Sequence, residues 1–426
     1  MHPRLSLIKQ RAKADDLTRH STIMVAFGLA AGAFNYLYQL AMGMLLTPAQ
    51  YGILFSLTSL LTITMIMSQA FQTSITKFTA KFNAQNNPGG VSYLWKFSLR
   101  RTILLGSVLF LILTGLTPLI SGFLNIDNGW YLVVPFSSLI LAFALPVNWG
   151  VLQGLQRFLP LGFSAALWAL LKLFLAILLV YLGLEIYGGL IAFPLAYFIV
   201  FLVTLLSLKD LARGGNQKSE LGGLFSYTGL TFLAIFSFAV LTNIDVILAK
   251  HYLSPESMGN YSAISVLGRI VLYAPAGVAV AMFPKTSGLF EVGGKTRFLL
   301  RKAAIYTLLI GGGVAIVYLL CPHFIVGSLF GDKYPLATPF LFKYGLAMFF
   351  FALSFLVVNY SLSLNQAKIA YPLLVVIILE LGLISLFHSS ITQIVNVVLL
   401  CGIISFVSVI PFYLNLVSRS AKSLPC

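Results

Sequence analysis

The chain is a succession of long apolar runs separated by short polar breaks. Twelve runs stand out, at 21–46, 51–76, 101–124, 129–156, 160–182, 186–208, 222–250, 257–284, 302–325, 336–364, 369–388 and 391–417. Each reaches about 20 residues, the length that a helix rising about 1.5 Å per residue needs to cross a bilayer core. Within the runs the apolar residues are continuous. Barrel strands would instead alternate apolar and polar positions in segments of about ten. The pattern predicts an all-α membrane protein with about 12 transmembrane helices.

Composition agrees. Hydrophobic residues make up 59% of the 426 and charged residues only 9%, against about 25% charged in an ordinary soluble domain. The formal net charge is +16, which alone would suggest a nucleic-acid partner. Its distribution gives another reason. If the N-terminus lies inside, 22 of the 27 Lys and Arg fall in the tails and loops of that side, and only Lys250 and Lys333 lie on the other. This is the positive-inside asymmetry of a membrane protein. It puts both termini in the cytoplasm and makes the basic loops partners of anionic lipid heads, with no nucleic acid involved. The polar first 20 residues and the long run after them read as an uncleaved first span.

The segment Leu46-Thr47-Pro48-Ala49-Gln50-Tyr51-Gly52 recurs as Leu253-Ser254-Pro255-Glu256-Ser257-Met258-Gly259, an offset of 207 residues. Each copy follows the first span of a six-span half. Pro suits the first turn of the next helix, and the Thr or Ser before it can cap that helix. Six spans per half make the repeat parallel, about an axis along the membrane normal, as in alternating-access transporters. The expected organisation is a basic tail (1–20), an N-terminal six-helix lobe (21–208), a polar linker (209–221), a C-terminal six-helix lobe (222–417) and a short tail (418–426).

Two stretches carry a family resemblance. One is Leu45 to Gly52, followed by an apolar span and Thr76-Lys77-Phe78-Thr79-Ala80-Lys81; the other runs from Asp245 through Lys250 and Leu253-Ser254-Pro255 to Gly259-Asn260-Tyr261. Both resemble the openings of the two halves of polysaccharide and oligosaccharide flippases, in the multidrug/oligosaccharidyl-lipid/polysaccharide (MOP) exporter superfamily that includes the MATE transporters. The resemblance implies a MATE-like pair of six-helix lobes around a central cavity. It also implies transfer of a polyprenyl-diphosphate-linked glycan from the cytoplasmic to the outer leaflet of the cell membrane, for surface polysaccharide synthesis. Glycosyltransferases or a glycan polymerase of the same pathway would then be partners. A lipid-linked peptidoglycan precursor, or a drug expelled against H⁺ or Na⁺, remain alternatives at this stage.

Charged residues inside spans are rare and either pair or line water. Asp245, Lys343 and Glu380 share a depth in the second lobe, where they can form structural ion pairs or a site for a coupling H⁺ or Na⁺. Lys172 and Arg269 lie near mid-depth in different lobes, with no acidic residue at the same depth by residue count. Two such cations suit a diphosphate, which Arg grips with two N–H groups and Lys as a point charge. Asn35 and Gln39, Gln69 and Gln72, and Ser265 with Tyr273 recur at helical spacing and are candidate cavity-lining groups. No cofactor motif is present. The five histidines and three cysteines are dispersed without metal spacing or a catalytic constellation.

The charge asymmetry predicts accessibility. In a cysteine-free background, single cysteines at Asp127 or Glu185 should react with an impermeant thiol reagent added to intact cells, and cysteines at Asn86 or Asn216 should not. Labelling at Asn216 would overturn the six-plus-six layout.

Overall fold

A computed structural model describes residues 3–212, 229–291, 294 and 296–422. The described chain is helical, and eleven stretches are long and apolar enough to cross a membrane. One of them, Phe158–Ser207, is 50 residues long. A straight helix of that length would span about 75 Å, more than twice a bilayer core. The chain turns within it: Gly183 has φ 87° and Glu185 φ 45°. The helices on either side pack against each other, so this stretch is two spans and the described residues hold twelve.

The spans are α1 (Pro3–Leu45), α2 (Pro48–Ala84), α3 (Pro88–Gly115), α4 (Trp130–Gly154), α5 (Phe158–Leu179) and α6 (Glu185–Ser207), then α7 (Phe232–Tyr252), α8 (Pro255–Tyr273), α9 (Arg297–Leu320), α10 (Leu341–Ser363), α11 (Ala370–Leu386) and α12 (Ile391–Lys422). Of the expected linker, residues 209–212 form one short helical turn, Lys209–Ala212, and 213–221 lie outside the described residues. The turn carries Asp210, which pairs with Arg157 from the α4–α5 connection; the guanidinium holds the Asp210 carboxyl below its ordinary range.

Both copies of the repeated motif start a helix in the expected way. In the first, the Gln50 N–H donates to Thr47 Oγ1 at 3.3 Å and the Thr47 N–H to Gln50 Oε1 at 3.2 Å. This reciprocal capping box satisfies two backbone donors at the start of α2. In the second, Ser254 Oγ accepts from the Ser257 N–H at 3.4 Å, with Pro255 at the first helical position. The two starts also touch. A Cβ at Gly52 would sit 2.9 Å from Met258 Cγ, and one at Gly259 would run into the Pro48 carbonyl. Close backbone approach of this kind is how membrane helices gain packing when lipid offers no hydrophobic drive.

The chain forms two compact units. The first contains residues 1–45, 67–121 and 127–227, and the second 46–66, 122–126 and 228–426. The start of α2 therefore groups with α8, although chain order puts it in the N-terminal lobe. In the first unit Trp95 Nε1 donates to Asn148 Oδ1 at 2.8 Å, and Asn148 Nδ2 to Thr204 Oγ1 at 2.9 Å, tying α3, α4 and α6 together. In the second, Tyr318 of α9 donates to the Leu267 carbonyl of α8 at 2.6 Å.

A Cβ at Gly150 would lie 2.8 Å from the Gln72 carbonyl oxygen, a backbone atom with no freedom to rotate away. Gly150→Val should therefore force α2 and α4 apart and lower stability by about 1–3 kcal/mol. Gly313→Ala, where a Cβ meets nothing within 4 Å, should be neutral or slightly stabilising. Melting of the purified variants in detergent, followed by size-exclusion fluorescence, checks the contrast.

Candidate functional site

The second unit contains a buried polar cluster built on a broken helix. The apolar run of α7 is interrupted at Thr242-Asn243, between helical segments Gly229–Leu241 and Ile244–Tyr252. An interruption inside a membrane frees carbonyl groups that need protein partners. Arg269 of α8 supplies them. Its Nη2 donates to the Thr242 carbonyl at 2.7 Å and its Nη1 to Asn243 Oδ1 at 3.1 Å. The same guanidinium lies 3.7 Å from Asp245 Oδ1 and 5.1 Å above the ring of Phe55.

Asp245 sits in the first turn of the segment after the break, where the helix dipole favours a carboxylate. Its Oδ2 accepts from the hydroxyls of Tyr261 and Tyr344, each at 2.7 Å. Ser265 Oγ lies 2.8 Å from the Tyr344 hydroxyl. Tyr261, Ser265 and Arg269 are spaced by four, so one face of α8 carries the whole set. Glu380 of α11 is fully buried and feels the charge of Asp245. Neither of its carboxyl oxygens has a hydrogen-bond partner, and Asp245 Oδ1 and Arg269 Nε also lack one.

Two sequence expectations are corrected here. Arg269 does have an acidic neighbour, Asp245: a count of residues gives the depth of the backbone, and the long arginine side chain carries its charge beyond it. Lys343 does not join Asp245 and Glu380. It lies half-buried, its Nζ donating to Asn396 Oδ1 at 2.9 Å. It has the right depth but the wrong face: one residue further on, about 100° around the helix, Tyr344 is the α10 side chain that reaches Asp245. Tyr273 is 57% exposed and makes no hydrogen bond to the cluster among the described residues.

The first unit holds a different kind of site. Lys172 of α5 is only 4% exposed. Its Nζ donates to Asn35 Oδ1 at 2.6 Å and lies 4.5, 4.7 and 5.0 Å from the ring centroids of Tyr38, Trp168 and Phe193. Three aromatic faces and one amide oxygen thus surround the ammonium, and among the described residues it has no carboxylate partner. Gln39, one turn from Asn35, keeps a buried Oε1 without a hydrogen bond. Gln72 and Thr76 both donate to Gln153 Oε1 at 3.3 Å, while Gln69 is exposed.

Sequence reading missed Asn243, Tyr344, Trp168, Phe193 and Gln153. Asn243 and Gln153 were detectable as polar interruptions of apolar runs; the aromatic residues were hidden among 58 Tyr, Phe and Trp. Among the described residues no group of three His, Cys, Asp or Glu side chains could hold a metal ion.

Residues 41–339 match the profile of a family described as polysaccharide biosynthesis protein. No curated protein matches the chain. Solved structures do. The fold is similar to one described as the inward-facing conformation of a multidrug resistance MATE family transporter of the MOP superfamily, with TM-score 0.76, 13% identity, and 92% of this chain and 96% of that one covered. An outward-facing conformation of a multidrug resistance MATE family transporter gives TM-score 0.66 at 14% identity, with 96% of each chain covered. A MOP superfamily transporter from Pyrococcus furiosus gives 0.66 at 13%, again with 96% of each covered; it is described as having a binding pocket of reverse polarity that suggests a different function. The chain thus has the MATE transporter fold.

The Arg269–Asp245 pair should behave as a buried unit. Arg269→Met or Asp245→Asn alone strands the other member and should cost about 3–5 kcal/mol, whereas the double variant should lose much less than the sum. Thermal stability of the four proteins in a mutant cycle measures this, and additive losses would contradict the pairing.

Proposed function

This chain belongs to the polysaccharide biosynthesis protein family, and from that premise we propose that it is a flippase for a polyprenyl-diphosphate-linked oligosaccharide. It is a transporter by family and fold. The observation that carries the finer reading is Lys172, a buried cation without a carboxylate partner among the described residues. A cationic drug would be repelled there, whereas a diphosphate supplies the missing counter-charge. The Pyrococcus furiosus transporter described as having reverse pocket polarity lends support that charge preference varies within the superfamily.

In this reading the diphosphate displaces the Asn35 amide from Lys172. Asn35, Gln39 and Gln72 offer neutral polar groups to the sugars, and the polyprenyl tail stays in lipid. The lobes alternate between sides of the plasma membrane, with both termini cytoplasmic. Glycosyltransferases supply the lipid-linked glycan and a polymerase consumes it.

Glu380 supports coupling to a cation. A bare carboxylate buried without hydrogen bonds is too costly to persist, so the group either carries a proton or meets a cation. Downhill passage of H⁺ or Na⁺ past Glu380 and Asp245 then biases the conformational cycle.

Lys172→Met tests the substrate assignment. Removing a desolvated, unpaired charge should leave membrane abundance unchanged or raised. Glycan export should fall at least about tenfold, a loss of roughly 1.4 kcal/mol of interaction. Lys172→Arg should retain more activity. Normal export by an abundant Lys172→Met protein would remove this residue from substrate binding.

A further inference from the structure

A second feature of the first unit lies away from both clusters. α2 and α3 enclose a cavity of about 330 Å³, lined by Phe71, Ser74, Ser98, Arg101, Leu104 and Val108 among others. Its walls are apolar apart from hydroxyls and one guanidinium. Leu104 and Val108 are 63% and 43% exposed, so the cavity opens sideways, where a membrane-embedded helix meets lipid. From Arg101 to Val108 the helix rises roughly 10 Å, which makes the cavity a slot along the helix axis. Counting each methylene at about 30 Å³, the share of one water in the liquid, it has room for roughly ten.

The two ends of the slot differ. At the basic end, Arg101 stacks its guanidinium 4.7 Å above the Phe97 ring and is exposed, with no carboxylate partner among the described residues. Lys96 and Arg100 lie on the same end of α3. Inside the slot, Ser98 is 97% buried and its Oγ has no hydrogen-bond partner. A buried hydroxyl left unbonded in an otherwise apolar slot is a polar group awaiting an acceptor.

We infer that this slot is a binding site for an anionic phospholipid of the leaflet on the basic side. Its phosphate meets Arg101, an ester oxygen accepts from Ser98 Oγ, and one acyl chain lies along Leu104 and Val108. The apolar walls alone would give no affinity, because an acyl chain gains nothing by leaving one hydrocarbon phase for another. Selectivity therefore rests on the headgroup charge, and the slot's shape decides where the chain lies.

The test uses purified full-length protein, titrated with phosphatidylglycerol or with phosphatidylcholine of the same chains, and counts retained lipid by native mass spectrometry. One phosphatidylglycerol should be held more tightly than phosphatidylcholine, by about fivefold for a single interfacial arginine. Arg101→Gln should abolish that preference, and Arg100→Gln, which does not line the slot, should keep it. Val108→Trp, at the lipid-facing mouth, should plug the slot and weaken retention of both lipids. An unchanged preference in Arg101→Gln would overturn the site, as would full retention by a folded Val108→Trp protein. Should the tryptophan variant fail to fold, Ser98→Ala takes its place: unchanged retention of both lipids, whose esters would lose their donor, would also overturn the slot. Displacement of phosphatidylglycerol by a lower concentration of polyprenyl phosphate would reassign the slot to a carrier lipid and overturn the phospholipid assignment.

Discussion

The guanidinium of Arg269 repairs a helix that breaks inside the membrane. Without water, the carbonyl of Thr242 and the amide of Asn243 must find donors in the protein, and Arg269 provides both. The arginine then needs a counter-charge, and Asp245 provides it from the turn just past the break. Asp245 in turn draws the hydroxyls of Tyr261 and Tyr344 from two different helices. One local departure from helical geometry thus fixes the mutual positions of α7, α8 and α10 within the second unit. The same departure leaves Glu380 beside a cluster whose tyrosine hydroxyls and guanidinium Nη groups are already committed, so this carboxyl is the group whose charge is least satisfied by the protein itself.

The first unit solves its buried-charge problem by different means. Lys172 is surrounded by ring faces, which attract a cation without accepting a proton from it. A carboxylate in that position would have neutralised the charge permanently. Aromatic faces and one amide leave it available, and this difference separates a site that can exchange partners from one that is structurally closed. Backbone packing follows a simpler rule in both units: where helices come closest, as at Gly150 and at Gly52 with Gly259, the residue has no side chain.

The span pattern was legible because it depends on length and hydropathy alone, which are local. The capping role of Thr47 and Ser254 was legible for the same reason. Pairing was not. Depth along a helix can be counted from the sequence, but azimuth and the continuity of the helix cannot. Lys343 was matched to Asp245 by depth while its neighbour Tyr344 held the facing position. Arg269 was left unmatched because a residue count gives the depth of the backbone, while the long arginine side chain carries its charge some way along the helix to Asp245. The number of spans was recoverable for the converse reason: a turn such as Gly183 to Glu185 hardly dents hydropathy, yet 50 residues are too many for one crossing.

The touching starts of α2 and α8 resemble the contact between two subunits of a symmetric dimer, except that both partners belong to one chain. In a true homodimer each substitution appears on both sides of the axis, so neither partner can specialise. Here the two copies have already diverged: a proline carbonyl faces Gly259, while a methionine side chain faces Gly52. Covalent linkage frees the halves to keep a common architecture while adopting opposite electrical characters. A caged ammonium in one and a carboxylate-rich cluster in the other could not both exist if a single sequence had to build the two.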